Sequence, residues 1–484
     1  MKIRPVRKYM AVLVLMLLGA GFRLISLPRE ALEPDELYSR QVVLKSLPDA
    51  YVSVRNDLVH PPLYYLLLKT ATSIWGTNPY GLRAFSLLCG IASIGLIAIV
   101  GERLPGAAWC GLLAATLLAV NRIQVFYSQE ARSYAFYSML VILLASWVVA
   151  ISERESDMKL WIAGAVLMIL LVYTHYFGCF YVLGSVVALM VSNVQRRTKL
   201  LAFAAGTAAA LLLTPWLYAI ASVYKSKQGL TSNLSWMQRP DLQDLRKLFA
   251  ASLGVGNFRG GATLAFLIVM GLASVALFRA SKAHALRQNP AVIAIALMSV
   301  LPPCIVFLLS NPPFNLPLFL LRHFLPSLTL LMLLSCYGLE LLNQSLGRQF
   351  RPISVCGAML MLAIGALPSL LGPSRGPLRF PFYAVVPRVE SSDRSGTQAF
   401  AASFYMEGEP VNVYCGRTCV EPLPAPAARL PQHLLLLYLP DFPSDAESYR
   451  RLIEEGYADV GHMSYAGTDF AKMEMVVANL ELRR

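Results

Sequence analysis

A small set of side chains in this sequence is of the types that moving a group off a phosphate would need. Asp35 and Glu36 stand in ALEPDELYSR, His60 in NDLVHPP, and Glu130, Arg132 and Tyr134 in YSQEARSYAF. Further along come His175 in YTHYFG, and Arg322 and His323 in FLLRHFLPSL. A carboxylate can take the proton of an incoming hydroxyl, while fixed cations absorb the charge that grows on a departing phosphate. Each group also has a plainer reading. Pro34 with acids around it is a helix start, where the dipole favours negative charge. Arg132 and Glu130 would serve as an interfacial pair at a helix end, His175 as a donor to a backbone carbonyl, and His60 as a loop anchor. At this point both readings stand.

The elements that carry these residues are membrane helices. The chain has 484 residues, 56% of them hydrophobic and 14% charged, with a mean hydropathy of +0.55. That balance excludes an ordinary soluble enzyme and fits a polytopic helical membrane protein. A span needs roughly 20 apolar residues. Runs that qualify lie near 9 to 27, 81 to 100, 106 to 121, 133 to 151, 159 to 174, 177 to 194, 200 to 221, 261 to 279, 291 to 310, 318 to 342 and 353 to 371, about eleven in all. The basic and apolar N-terminus lacks a small-x-small cleavage site and reads as a retained first span.

One short segment decides the sidedness. HPPLYYLLLKTATSIWG, residues 60 to 76, is too short to cross and contains Lys69, so it reads as an interfacial or re-entrant helix. The basic loops KIRPVRK, GERLPG, SERESDMK, QRRTK, RASKAHALRQ and GRQFR then share one side, which the positive-inside rule makes cytoplasmic. The net charge of +14 is therefore assigned to topology and to anionic lipid, with no nucleic-acid partner expected. The candidate residues all fall on the opposite face, where ionisable groups at membrane depth usually border a cavity.

Composition changes near residue 372, which divides a membrane domain, 1–371 with a first outer loop at 28–80, from a tail, 372–484. In the tail VNVYC, HLLLLYLP and AKMEMVVANL read as strands. SDAESYRRLIEEG reads as a helix with a Ser444 to Glu447 capping box and a stop at Gly456. The expected fold is thus all-α and polytopic with a small exported α/β domain. Six cysteines lie in or beside apolar runs, whereas Cys415 and Cys419 are placed either for a disulfide or for an unpaired loop. No HExxH, paired CxxC, GxxxxGK[ST] or GxGxxG occurs in the required context, which leaves metalloprotease, zinc-ribbon, ATPase and dinucleotide-binding readings without support.

The order PDELYS, HPPLYYLLLK, YSQEARSYAF, THYFG and RHFLP resembles the GT-C superfamily of polyprenyl-phosphate-sugar-dependent glycosyltransferases. That group includes protein O-mannosyltransferases, the aminoarabinose transferase of lipid A and the Rgt-type lipopolysaccharide core transferases. The likeness covers about residues 1 to 340 and is strongest over the first 190. It implies the GT-C fold and an inverting transfer in which Asp35 is the general base, with Glu36 as its alternate. It also implies a donor phosphate held by Arg132 and Arg322 with His60, His175, Tyr134, Glu130 and His323 around it. His60 and His175 are the candidates for holding a divalent metal, and no nucleotide cofactor is expected. The implied partners are a polyprenyl-phosphate sugar, membrane lipid and an exported acceptor: glycolipid, polysaccharide or, less readily, protein. The implied location is a bacterial inner membrane with the N-terminus cytoplasmic and the site and tail periplasmic. Where the aminoarabinose transferase has glutamate and lysine before the proline, this chain has Val59 and His60, so that enzyme's metal ligation and substrate do not transfer. A rival reading is a lipid-linked-sugar flippase without covalent chemistry, which would place charges near mid-membrane on paired half-helices.

Overall fold

The computed structural model describes residues 5–25, 27, 32–226, 239–254, 259–282, 288–316, 318–345, 382–394, 397–402, 411–412, 418–425, 430–439, 443–466 and 474–482. The expected span at 353 to 371 lies outside these residues. The chain divides into two compact units, one of Met1–Ile25, Val42–Gly76 and Gly81–Pro373, the other of Ser26–Gln41, Thr77–Tyr80 and Ser374–Arg484.

The first unit is helical and membrane-spanning. It contains α1 (Pro5–Ile25), α3 (Leu47–Asp57), α4 (Leu63–Trp75), α6 (Cys110–Val120), α7 (Arg122–Ser128), α8 (Tyr134–Glu153), α9 (Met158–Thr174), α10 (Gly178–Val191) and α11 (Arg196–Ser226). Then come α12 (Leu242–Ala250), α13 (Arg259–Lys282), α14 (Pro290–Ser310), a short 3-10 turn Leu321–Phe324 and α15 (Leu325–Ser345). Helix α5 (Pro79–Glu102) belongs to this unit from Gly81 onward, and α2 (Pro34–Leu44) begins in the second unit. Among the described residues five helices are long and apolar enough to cross a membrane, or six if one bent pair counts as a span. Three shorter apolar helices accompany them, Met158–Thr174, Gly178–Val191 and Thr263–Arg279. The most apolar window of Leu321–Gln344 is 89% buried and that of Arg196–Val223 only 28%, so among the described residues the former is enclosed by its neighbours and the latter lies mostly at the surface.

Helix α4 has 13 residues, about 20 Å at 1.5 Å per residue, which is short of a 30 Å hydrocarbon core. Its Lys69 is tied down at both available carbonyls, donating to Val43 O at 2.8 Å and Lys45 O at 2.6 Å.

The run at 106 to 121, expected as a single span, is instead two helices, α6 and α7, bent by 64° at Asn121. The break is local chemistry. Asn121 takes extended backbone and its Oδ1 accepts from Ile123 N and Gln124 N, both at 3.1 Å, capping α7. Side chains from two other helices complement the dipole of α6 at each end. The Glu340 carboxylate accepts from the backbone N–H groups of Ala108 (2.6 Å), Trp109 (3.2 Å) and Cys110 (2.9 Å) at the N-terminus. At the C-terminus the fully buried Arg23 donates to Leu118 O (3.3 Å) and Ala119 O (3.2 Å). Arg23 also reaches Ser128 Oγ on α7 at 3.2 Å, and its carbonyl accepts from Gln129 Nε2 at 2.7 Å. Gly90 makes room for this closure, since a Cβ there would run into Ser128. A polar network thus fixes the bend that leads into Glu130 and Arg132.

The described part of the tail has a five-stranded sheet in the order β2-β1-β3-β5-β4, made of β1 (Gln398–Ala401), β2 (Glu421–Pro422), β3 (His433–Tyr438), β4 (Tyr457–Ala466) and β5 (Glu474–Leu482). Strand β1 runs parallel to β2 and β3, while β5 is antiparallel to β3 and β4. Leu435 and Leu437 pack with Val385 and Val389 of α16 (Phe382–Arg394) on one face. Leu434 and Leu436 pack with Leu452 of α17 (Pro443–Glu454) on the other. Cover on both faces is why β3 reads as an unbroken apolar run.

Several tail expectations are corrected. Val411 and Asn412 of VNVYC are helical, and the rest of that segment lies outside the described residues. Helix α17 starts at Pro443, which puts Ser444 inside its first turn, and Asp445 Oδ2 instead accepts from Leu439 N at 3.2 Å. The stop at Gly456 holds, with φ 102°. Edge strand β4 went unread because its residues are largely exposed and carry no apolar alternation. Cys419 is disulfide-bonded.

Candidate active site

Four segments of the membrane unit, distant in sequence, bring their polar side chains together. The first is the link from α3 to α4, where Leu58 takes left-handed backbone at φ 63°, an unfavourable state for a residue with a Cβ. His60 follows, 97% buried (3% exposed), and the two prolines after it preset the start of α4. The second is the turn from α7 to α8, held by a hydrogen bond from Ser86 Oγ to Arg132 O at 3.1 Å. The third is the end of α9, where His175 caps the helix in extended backbone. The fourth is the 3-10 turn with Arg322 and His323.

Arg132 is buried and donates from Nη1 to Tyr65 OH at 3.1 Å and from Nη2 to His60 Nδ1 at 3.3 Å. The His60 and His175 rings meet edge to face with centroids 5.1 Å apart, and His175 and His323 do the same at 5.4 Å. Tyr137 stacks on His175 at 4.6 Å, while Phe177 meets His323 at 4.8 Å. The Tyr134 ring lies 6.0 Å from His60, and the Arg322 guanidinium sits 5.7 Å from its centroid, a cation–π distance. Burial first, and then the charge of Arg132, hold the His60 imidazole well below its usual pKa. Burial, followed by His323 and the two arginines, does the same for His175. His175 is 96% buried (4% exposed), and its Nε2 has no hydrogen-bond partner among the described residues.

The structure therefore joins His60, Arg132, Tyr134, His175, Arg322 and His323 in one cluster. Glu130 is buried in the same turn as Arg132. Gln129 serves the bend through Arg23. Tyr65 and Tyr137 were passed over in the sequence. Tyr65 sits inside the quoted HPPLYYLLLK, and Tyr137 lies one helical turn beyond Tyr134, where the i+3 spacing was the signal.

The acids belong to the other unit. Helix α2 begins on Pro34, and Glu36 Oε2 accepts from Glu33 N at 3.0 Å, the return half of a capping box. Glu36, more than Glu33, thus carries the helix-start chemistry. Asp35 stands in the first turn with its side chain partly exposed. Among the described residues no group of three or more His, Cys, Asp or Glu is placed to hold a metal ion.

Comparison with known proteins bears on the fold. Residues 59–218 match the family model for dolichyl-phosphate-mannose-protein mannosyltransferases. No curated protein sequence matches the chain. Among solved structures it is similar to ArnT from Cupriavidus metallidurans, in the apo state and bound to undecaprenyl phosphate, with TM-score 0.56 and 14% identity over 96% of this chain and 97% of that one. It is also similar to the oligosaccharyltransferase of Archaeoglobus fulgidus in complex with Zn and sulfate, with TM-score 0.51 and 12% identity over 85% of this chain. The match spans 62% of that longer protein. A second structure from the same organism, AglB with an inhibitory peptide and a dolichol-phosphate, gives TM-score 0.52 and 11% identity over 86% of this chain and 64% of that one. The chain is an integral membrane protein, and its fold is that of the GT-C superfamily.

Proposed function

We propose that this protein is a glycosyltransferase that moves a sugar from a polyprenyl phosphate to an exported acceptor, a glycolipid or polysaccharide before a protein. The observation that carries this reading is the buried cluster of Arg132, Arg322 and three histidines, whose His175 Nε2 has no acceptor among the described residues. Such a cluster suits an anion, and the similar ArnT structure binds a polyprenyl phosphate. In the transfer the acceptor oxygen forms its bond to the anomeric carbon as the bond from that carbon to the phosphate oxygen breaks, with inversion. The electron pair leaves with the phosphate, where the guanidinium groups of Arg132 and Arg322 stabilise it. The acceptor proton passes to Asp35, partly exposed at the start of α2. Glu36 accepts from Glu33 N–H on its own helix through one oxygen. In this reading the N-terminus is cytoplasmic and residues 372–484 lie outside a bacterial inner membrane, an orientation supported by the shared side of the basic loops.

The test compares the envelope glycolipids, polysaccharides and proteins of cells making the wild-type chain or Asp35→Asn by mass. A sugar present only with the wild type names the donor, and the molecule that carries it names the acceptor. Purified Asp35→Asn protein that kept near-native turnover on that pair would remove Asp35 from the mechanism. Identical envelopes in cells with and without the gene would remove the activity.

A further inference from the structure

Histidines beside a phosphate site raise the question of a metal ion, and the similar archaeal oligosaccharyltransferase structure contains Zn. The hydrogen bonds around His60 and His175 answer it for this chain. A guanidinium has only donors, so the 3.3 Å contact from Arg132 Nη2 requires a lone pair on His60 Nδ1. The backbone N–H of Phe177 points at His175 Nδ1 from 3.2 Å and requires a lone pair there as well. A neutral imidazole has one proton, so both rings carry it on Nε2.

A histidine that ligates a metal through Nε2 carries its proton on Nδ1 and donates it to a carboxylate, carbonyl or water. In this site that Nδ1 proton would face Arg132 N–H in one ring and Phe177 N–H in the other. Neither histidine has the tautomer a metal needs at Nε2, and protonating either ring meets the same donor. His323 is the exception: its Nδ1 lies 3.0 Å from Leu318 O, a carbonyl that only accepts, which leaves its Nε2 as the acceptor. A single ring of the ligating form does not make a metal site.

We infer that His60 and His175 bind the donor phosphate directly as neutral Nε2–H donors, with no metal ion between the histidines and the phosphate. This rests on the proposed polyprenyl-phosphate activity. The two rings supply hydrogen-bond donors where a metal would supply charge, and the charge comes from Arg132 and Arg322. The buried His175 Nε2–H lacks a partner among the described residues, as expected of a donor that waits for an anion.

The experiment uses the full chain in phosphatidylcholine nanodiscs, titrated with a polyprenyl phosphate and followed by native mass spectrometry. One series is stripped with EDTA, and parallel series are then supplied with zinc, magnesium or manganese. His175→Gln, whose amide nitrogen can take the place of Nε2–H, is compared with His175→Leu, and bound metal is measured by elemental analysis. The expected result is binding unchanged by EDTA or added metal, kept within a few-fold by His175→Gln, and weakened about tenfold by His175→Leu, the loss of one hydrogen bond to a charged group. Binding lost to EDTA and restored by one metal, with that metal retained in stoichiometric amount, overturns the inference while leaving the proposed activity intact. Binding that both His175 variants leave unchanged also overturns it. A wild-type chain that binds no polyprenyl phosphate in any series sinks the proposed activity itself. If His175→Leu does not fold, the EDTA arm on the wild type still decides.

Discussion

Replacing Arg132 with methionine keeps most of the side-chain volume and removes the central cation. In the folded protein Arg132 donates to Tyr65 OH and His60 Nδ1, at 3.1 and 3.3 Å, from a side chain that is almost wholly buried. A hydrogen bond to a charged group contributes about 1.5 to 3 kcal/mol, and a bound phosphate would engage the same cation. Losing one such contact to phosphate costs about 3 kcal/mol, which is roughly two orders of magnitude in Kd. The substitution has a second effect that a general loosening of the fold lacks. Without the guanidinium, His60 Nδ1 is released and a neighbouring positive charge is gone, so the second of the causes that lower the His60 pKa is removed while burial, the first, remains. His60 can then gain a proton as pH falls, and the imidazolium supplies part of the missing charge. Arg132→Met should therefore bind polyprenyl phosphate about a hundredfold more weakly at pH 8 but recover part of that affinity by pH 5.5, while the wild type shows no such recovery. Titration in nanodiscs at the two pH values measures this. A defect of equal size at both values, or a wild type that gains as much as the variant on acidification, would refute the assigned contact between Arg132 and His60.

Three further outcomes follow from the same structure. His60 and His175 have pKa values lowered by burial, so the unfolded chain binds more protons than the folded one below pH 6.5. Stability should then fall as pH drops through that range by about 1.4 kcal/mol per pH unit for each histidine, and His60→Gln should flatten the profile of Tm against pH. Glu340→Leu strips the acceptor from Ala108, Trp109 and Cys110 N–H; water can replace it at exposed Ala108, while Cys110 is buried. A loss of about 2 kcal/mol is expected, seen as a lower Tm in detergent, and an unchanged Tm would deny the carboxylate its capping role. Glu36→Gln should retain most activity, because the amide oxygen can still accept from Glu33 N–H, whereas Asp35→Asn should abolish it; equal loss in both would exchange or merge their roles.

The sequence by itself determined the class of the protein and most of the residues that gather in its candidate site. Apolar run length is a local property set by the thickness of the bilayer, so the membrane helices, the short α4 and the apolar strand β3 could be read directly. His60, Arg132, His175 and Arg322 were legible because ionisable groups at the ends of apolar runs are costly without a purpose. The bend at Asn121 was not legible as such, since α6 and α7 together have the composition of one span. Glu340 and Arg23 grip the ends of α6 from more than 90 residues away in the sequence. Only the tertiary structure decided which nitrogen of His60 and of His175 faces a donor. That choice depends on where Arg132 and the Phe177 backbone come to rest, and it is the difference between a ring that can ligate a metal and one that can only donate to an anion. Proton placement in a buried cluster follows from neighbours brought together by folding, and no spacing along the chain encodes it.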